Sequence, residues 1–594
     1  MQEPKARKDM DPRYLWDLSS IIESAAEFER QFKEAQAQVS AFSTWQGHVG
    51  ENPRKAIREA MEMNRLLERL LVYAAMYADQ DGGDSQAQDQ LTRARSLAAK
   101  AESAVSFLQP ELLSLPEQTL LDMKNDPNFS EYDVFVDDLL RNKPHTLSAK
   151  EERLLAMTNE LMGAPDAVYT MLSDVDMPFP VVKDEEGNQV KLSNAMYGRL
   201  IRSRNREVRR GAFEAMMKGY NDYRQTYAAT YRYSVKGDVV GARARNFDSA
   251  IEASLFPDRI PVAVYDNLLS GIEAMRPAMK KYMELRKKKL GVDEVHLYDL
   301  YVSIVDDFDM KLTYPEAFQV VKKGLAPLGE HYAQLLDEAY NNHWIDVYEN
   351  RGKHSGAYSW GTYGAHPYVL MNFTEDLNGT TTLAHELGHA MHSWHSNHAQ
   401  PFAKAGYSLF VAEVASTCNE MLLMRALMDE YKDDQKASAY LANQLLEEFR
   451  GTVYRQTMFA AFERESHRME EAGQPLTADS LGELHYRLNQ QYYGDGCVID
   501  DCVRSEWMRI PHFYRAFYVY KYATGFSAAV YIANRILTEG QPAVDDYMKF
   551  LSAGGSLPPL DALRLAGVDM EDPATVQDAL KVFADTVDQL EALL

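Results

Sequence analysis

Leu383-Ala384-His385-Glu386-Leu387-Gly388-His389-Ala390 is the stretch that decides how the rest of the chain is read. It sets the zinc-peptidase pattern His-Glu-x-x-His inside a run of helical composition. On an α-helix, residues four apart differ by about 40° in projection and sit one turn apart along the axis. The imidazoles of His385 and His389 can therefore reach a single ion. Glu386 stands on the adjoining face, where its carboxylate can take a proton from a water activated by that ion instead of binding the ion itself.

A third ligand is needed, and its identity separates one peptidase class from another. His395 follows at the metzincin spacing, but that pattern requires a glycine where this chain has His392. On an unbroken helix His395 would lie about 15 Å further along the axis than His385. The metzincin reading is therefore rejected, and His392, His395 and His398 are expected on the polar face or behind the ligands. Glu413 is the other candidate. Its run, Phe410-Val411-Ala412-Glu413-Val414-Ala415-Ser416-Thr417, predicts a second helix after a connection punctuated by Pro401 and Gly406. A carboxylate from that helix completes a His2Glu set with one open position, the arrangement catalytic zinc requires. One zinc ion per chain is the expected cofactor. Glu420 lies about 20° from Glu413 in projection and can accept the second N–H of a ligand imidazole. Cys418, about 140° round the helix from Glu413, is expected to point away from the metal.

Beyond these residues, Thr382 to His389, the Phe410-to-Thr417 run with Asn419-Glu420 behind it, and two further blocks resemble the oligoendopeptidase F family, a branch of the thimet-oligopeptidase-like zinc metallopeptidases. The further blocks are Gly356-Ala357-Tyr358-Ser359 through Pro367-Tyr368-Val369-Leu370-Met371-Asn372, and Arg509-Ile510-Pro511-His512-Phe513-Tyr514 leading into Phe517 to Gly525. The resemblance implies a zincin-type fold with a recessed substrate cleft, and cleavage of internal bonds in short oligopeptides. It also implies that His512 and Tyr518, with Tyr522 third, donate hydrogen bonds to the oxyanion of the transition state. Most other aromatic residues of 512–522 read as core. In the thimet-like branch this region is a glycine-rich flexible loop, whereas Arg515-Ala516-Phe517 stands here. Val369-Leu370-Met371 has two readings, a strand that takes the peptide as an added strand or a buried structural strand. Two other functions are weighed against the endopeptidase. A dipeptidyl carboxypeptidase of the same wider family needs a group that captures the substrate's C-terminal carboxylate. A helical peptide-binding scaffold with a structural metal needs a fourth protein ligand, and none is evident.

Composition fits this reading. The chain has 594 residues, 46% of them hydrophobic, enough for large cores. Apolar residues recur at helical spacing in Glu27 to Ala41, Ala56 to Ala78, Pro315 to Leu325 and Ala437 to Glu465. Strands are expected in 178–183 and 189–192, joined through 184–188 as a hairpin, and in 367–373. The predicted fold is mainly α, multi-helical, with a small β-sheet beside the motif helix. Punctuation divides it into an N-terminal helical region (1–112), a lobe with the hairpin (113–203) and a catalytic region (204–594). A net charge of −25 makes a broad phosphate-binding face improbable, so nucleic acid is excluded as a partner and short peptides are expected. Met1 to Leu15 lacks a signal-peptide apolar core and no run reaches membrane-span length. With three cysteines, of which only Cys497 and Cys502 are near each other in sequence, the expected setting is the reducing cytoplasm. The acidic run at 306–309 reads as a solvated loop.

Overall fold

The computed structural model describes residues 4–308 and 310–594. The first three residues of the opening stretch and Asp309 of the acidic run lie outside the described residues. The chain is 72% helical with two small sheets, so the mainly α expectation holds. Helices run where the apolar spacing places them, at Ala25–Phe42, Pro53–Asp79 and Tyr314–Gly324. Their starts follow local chemistry. The Asn52 side chain accepts the Lys55 N–H while Pro53 opens the helix, and Thr313 and Glu316 cap each other reciprocally. The stretch 437–465 is not one helix. It forms Gln435–Glu448 and Arg455–Glu471, joined by a wider π-helical turn at Phe449–Tyr454. One inserted residue rotates the second helix by about 100° relative to the first. Arg450 and Tyr454 thereby lie buried, with Arg450 paired to Glu447 at 2.6 Å.

The chain builds two compact units, each from three stretches. The first comprises Met1–Pro144, Asp309–Ala426 and Ile532–Val568; the second comprises His145–Phe308, Leu427–Tyr531 and Asp569–Leu594. The boundaries suggested by punctuation near 112 and 203 each fall inside a unit. Proline and glycine mark where the chain turns, and a unit assembled from distant stretches carries no such local mark. No helix among the described residues is long and apolar enough to cross a membrane.

In the second unit, β1 (Val181–Lys183) and β2 (Gln189–Lys191) form the expected antiparallel hairpin. Asp184 closes its turn by accepting from the N–H groups of Glu186 and Asn188, and Gly187 supplies the positive φ of 84°. In the first unit, β3 (Ile345–Asp346), β4 (Tyr358–Trp360) and β5 (Tyr368–Leu370) form a sheet of order β3-β5-β4. Tyr368 and Leu370 of β5 join the core of the N-terminal helices, with Trp16, Phe28, Leu70 and Val136. Asp346 on β3 is fully buried between Lys353 (2.7 Å), whose side chain is also fully buried, and Arg7 (2.6 Å). Asp346→Ala leaves the Lys353 ammonium buried without its counter-charge and should cost about 3–5 kcal/mol. Urea unfolding of the purified variant measures this, and a loss below about 1 kcal/mol would show that Lys353 escapes to solvent.

Candidate metal centre

The motif stretch lies on the helix Leu377–Ala399, whose start is capped by the Asp376 carboxylate accepting the Gly379 N–H at 2.8 Å. The Phe410-to-Thr417 run lies on a second helix, Leu409–Glu430. The two cross in backbone contact at Gly388. A Cβ there would stand 2.5 Å from Ser416 Cα and 2.7 Å from the Ala415 carbonyl oxygen, distances no side chain tolerates. Beside the crossing, Asn419 is buried; its amide donates to the Ala384 carbonyl at 3.1 Å and its oxygen accepts from Tyr332 at 2.9 Å. This bond gives the motif helix a second fixed point against its neighbour.

The crossing brings Glu413 to the two histidines. His385 Nε2 and His389 Nε2 are 3.2 Å apart, and Glu413 Oε2 lies 3.4 Å and 3.6 Å from them. A tetrahedral ion with bonds of about 2.0–2.1 Å has ligand–ligand edges of about 3.3 Å, so the donor set fits a small divalent cation. Among the described residues this is the one cluster of histidine, cysteine and carboxylate groups with that convergence.

Electrostatics around the three ligands differ residue by residue. Burial works against a charged His385 ring, but the Glu420 carboxylate, 2.5 Å from its Nδ1, together with Glu386 and Glu413, holds the ring up at about 9. The Nδ1–H donates to Glu420, which leaves Nε2 as the metal-facing atom. Hydrogen bonding to His389 and the nearby imidazoles hold the Glu413 carboxyl below its usual range despite partial burial. Glu386 is 6% exposed, and its Oε2 has no hydrogen-bond partner among the described residues. Burial pushes its carboxyl up while the two histidines pull it down.

The remaining histidines of the helix are occupied elsewhere. His392 is buried and stacks on Tyr407 with centroids 3.7 Å apart, burial pushing its ring down to about 3. His395 packs against Trp394 and His331, likewise pushed down to about 4, and His398 stacks on Trp394. None belongs to the ligand cluster. Cys418 is buried and also outside it, and the three cysteines are free.

In the second unit, His512 lies in the 3-10 turn Pro511–Tyr514, the chain reverses, and a helix begins at Tyr520. This break from regular helix lets His512, Tyr518 and Tyr522 gather, with ring centroids 5.5–6.0 Å apart. Burial, with Arg515 nearby, lowers His512, so its imidazole is neutral at neutral pH. Tyr514 is different: its hydroxyl bonds to Thr230 at 2.7 Å and its ring packs on Tyr169, which makes it a packing residue.

One expectation is corrected. Val369, Leu370 and Met371 cannot receive a peptide as an added strand, because β5 is the centre of its sheet and all three residues are buried. The Val369 and Met371 N–H groups already donate to Trp344 and Asp346. Among the described residues, the edges of this sheet are β3 and β4. Sequence reading also missed Gly388 as a contact and Asn419 as a bridge. The small pair Gly388 and Ser416 was the only local trace of the first, and a polar amide inside an apolar run was the trace of the second.

The family model described as peptidase family M3 matches residues 199–582, and that described as oligopeptidase F matches residues 111–179. The chain belongs to peptidase family M3. That family is metal-dependent, and the chain is a metallopeptidase. This M3 chain is 43% identical to oligopeptidase PepF of Bacillus subtilis (99% of this chain, 88% of that one). It is 37% identical to the group B oligopeptidase PepB of Streptococcus agalactiae (99% and 98%). Among solved structures, oligoendopeptidase-F from Enterococcus faecium matches with a TM-score of 0.72 at 34% identity, covering 96% of this chain and 99% of that one.

Two outcomes test this M3 metal centre. Gly388→Ala should cost about 1–3 kcal/mol, the scale for overpacking, and reduce metal content because Glu413 is pushed from the histidines. Thermal unfolding and metal analysis report both, and an unchanged metal content would place the ligands outside the control of the crossing. In the metal-free protein the raised His385 holds a proton at pH 7 that the metal must displace. Affinity should then weaken by about tenfold per unit as pH falls below about 9. Glu420→Gln should move that dependence to lower pH and, above about pH 9 where no proton competes, weaken binding by about 10–100-fold, measured by calorimetry at several pH values.

Proposed function

We propose that the chain is a zinc-dependent endopeptidase that hydrolyses internal bonds of short oligopeptides, with Glu386 as general base. The observation that carries this reading is the convergence of His385, His389 and Glu413 beside the unpartnered Glu386 Oε2. Two imidazoles and one carboxylate are a donor set of catalytic zinc and leave a coordination position open. When bound, the ion supplies Lewis acidity and makes water acidic near neutral pH.

The chain's own groups do the rest. Glu386 takes the proton of the attacking water and carries it to the departing amine; its upward-shifted carboxyl is better matched to that exchange than an ordinary glutamate. Glu420 fixes the tautomer of His385 through Nδ1. His512 in its neutral form and the hydroxyls of Tyr518 and Tyr522 donate to the oxyanion, a role assigned by resemblance to the family. The peptide backbone runs along β4, whose outer edge can pair with an extended strand and so favours flexible substrates over folded ones. The names of the relatives, oligopeptidase and oligoendopeptidase F, support short peptides as substrates. The three free thiols fit a cytoplasmic setting.

Glu386→Gln should fold and retain zinc while losing several orders of magnitude in turnover, since the water has lost its base. Metal content, melting temperature and peptide cleavage measured on one preparation test this. Loss of the metal in the variant would make Glu386 a ligand and overturn the mechanism.

A further inference from the structure

Phe517 has φ of 55°, in the left-handed region that glycine favours. Outside glycine, the described residues share this only at Asn246, Arg259 and His343, and none of those is buried. Phe517 is 1% exposed. An aromatic residue in this conformation costs about 1–3 kcal/mol and persists only where its surroundings hold it there. The peptide unit that leads into Phe517 is held through both of its polar groups. The Ala516 carbonyl accepts from Ser254 Oγ at 2.9 Å, and the Phe517 N–H donates to Glu463 Oε1 at 3.0 Å. The Phe517 ring packs on His467 (4.5 Å) and Tyr265 (5.9 Å).

Glu463 is the unusual member. It sits inside the helix Arg455–Glu471, fully buried, and its Oε2 has no hydrogen-bond partner among the described residues. Packing alone gives no reason for a carboxyl at this point, since an apolar side chain would fill the space without an unsatisfied oxygen. Burial, with the negative charge of Asp238 as a smaller contribution, pushes its carboxyl up, against the pull of the Phe517 amide. What the carboxyl does is bind the one amide at the reversal between His512 and Tyr518.

We propose that Glu463 is a positioning residue, which clamps the Phe517 amide in its left-handed turn and thereby sets Tyr518 against His512. The turn comes after the 3-10 segment Pro511–Tyr514 and precedes the helix at Tyr520, so it fixes where the residue between them points. With the clamp in place the rings of His512 and Tyr518 stack at 6.0 Å and 25°. Without it, Phe517 relaxes to a right-handed conformation and Tyr518 leaves that position. The consequence for turnover rests on the reading of Tyr518 as an oxyanion donor; the clamp itself does not.

Hydrogen exchange at the Phe517 amide and steady-state kinetics, measured together on the full-length zinc-loaded protein, test the proposal. In the unaltered protein the Phe517 amide should be as protected as the core amides of Arg455–Glu471, although it lies in no helix; fast exchange there overturns the clamp. Glu463→Gln, which keeps an acceptor, should retain both protection and kcat. Glu463→Leu should lose the protection and about 10²-fold in kcat with KM little changed, the scale for misplacing one catalytic group. Adding Tyr518→Phe to Glu463→Leu should then cost little more, because both act through the same hydroxyl. Equal losses in the Gln and Leu variants, or a protected Phe517 in Glu463→Leu, would overturn the proposal. If Tyr518→Phe alone keeps full kcat, the donor reading fails, and the exchange data still decide for or against the clamp. Should Glu463→Leu not fold, the unaltered protein and Glu463→Gln decide it in the same way.

Discussion

The backbone contact of Gly388 with Ser416 is the constraint on which the candidate metal centre depends. Helices normally pack with axes about 8–10 Å apart, set by the side chains between them. Where one residue has no side chain and the facing one is small, the axes approach until backbone meets backbone. At that distance a carboxylate from the second helix reaches the imidazoles of His385, three residues before the glycine, and His389, the residue after it. Asn419 strengthens the same contact with a buried amide bonded to the motif-helix backbone. A methyl group at position 388 would therefore act on the ligand geometry as strongly as a change in a ligand.

Around that contact the three carboxylates meet different surroundings. Glu420 is bonded to His385 and orients it, and Glu413 faces both histidines. Of the three, Glu386 has a buried oxygen with no partner among the described residues, and its carboxyl is pushed up, not down. Glu413 and Glu386, on neighbouring helices, thus take opposite protonation tendencies from their surroundings. Environment, and not residue type, separates them, and the roles proposed for them follow that division.

The second unit uses a buried carboxyl differently. Glu463 meets no cation; it meets a backbone amide in a turn that an aromatic residue would not choose. On our proposal the arrangement trades local strain for a fixed relation between His512 and Tyr518, whose six-residue spacing would put them about 120° apart on a regular helix.

The sequence by itself determined the motif helix, its two histidines, the adjoining Glu386 and the mainly helical fold, because each arises from spacing along a regular helix. It also excluded His395 by the same arithmetic. The hairpin was legible from Asp184 to Asn188, whose turn chemistry is local. Tertiary structure alone decided that β5 lies at the centre of its sheet, since strand order depends on residues as far off as Ile345 and Trp360. It alone split 437–465 at a π-helical turn, and it alone built two units from interleaved stretches. Gly388 and Phe517 show the reason most directly. One is an ordinary helix glycine and the other an ordinary core aromatic until the residue that each touches, Ser416 or Glu463, is brought against it by packing that no local pattern records.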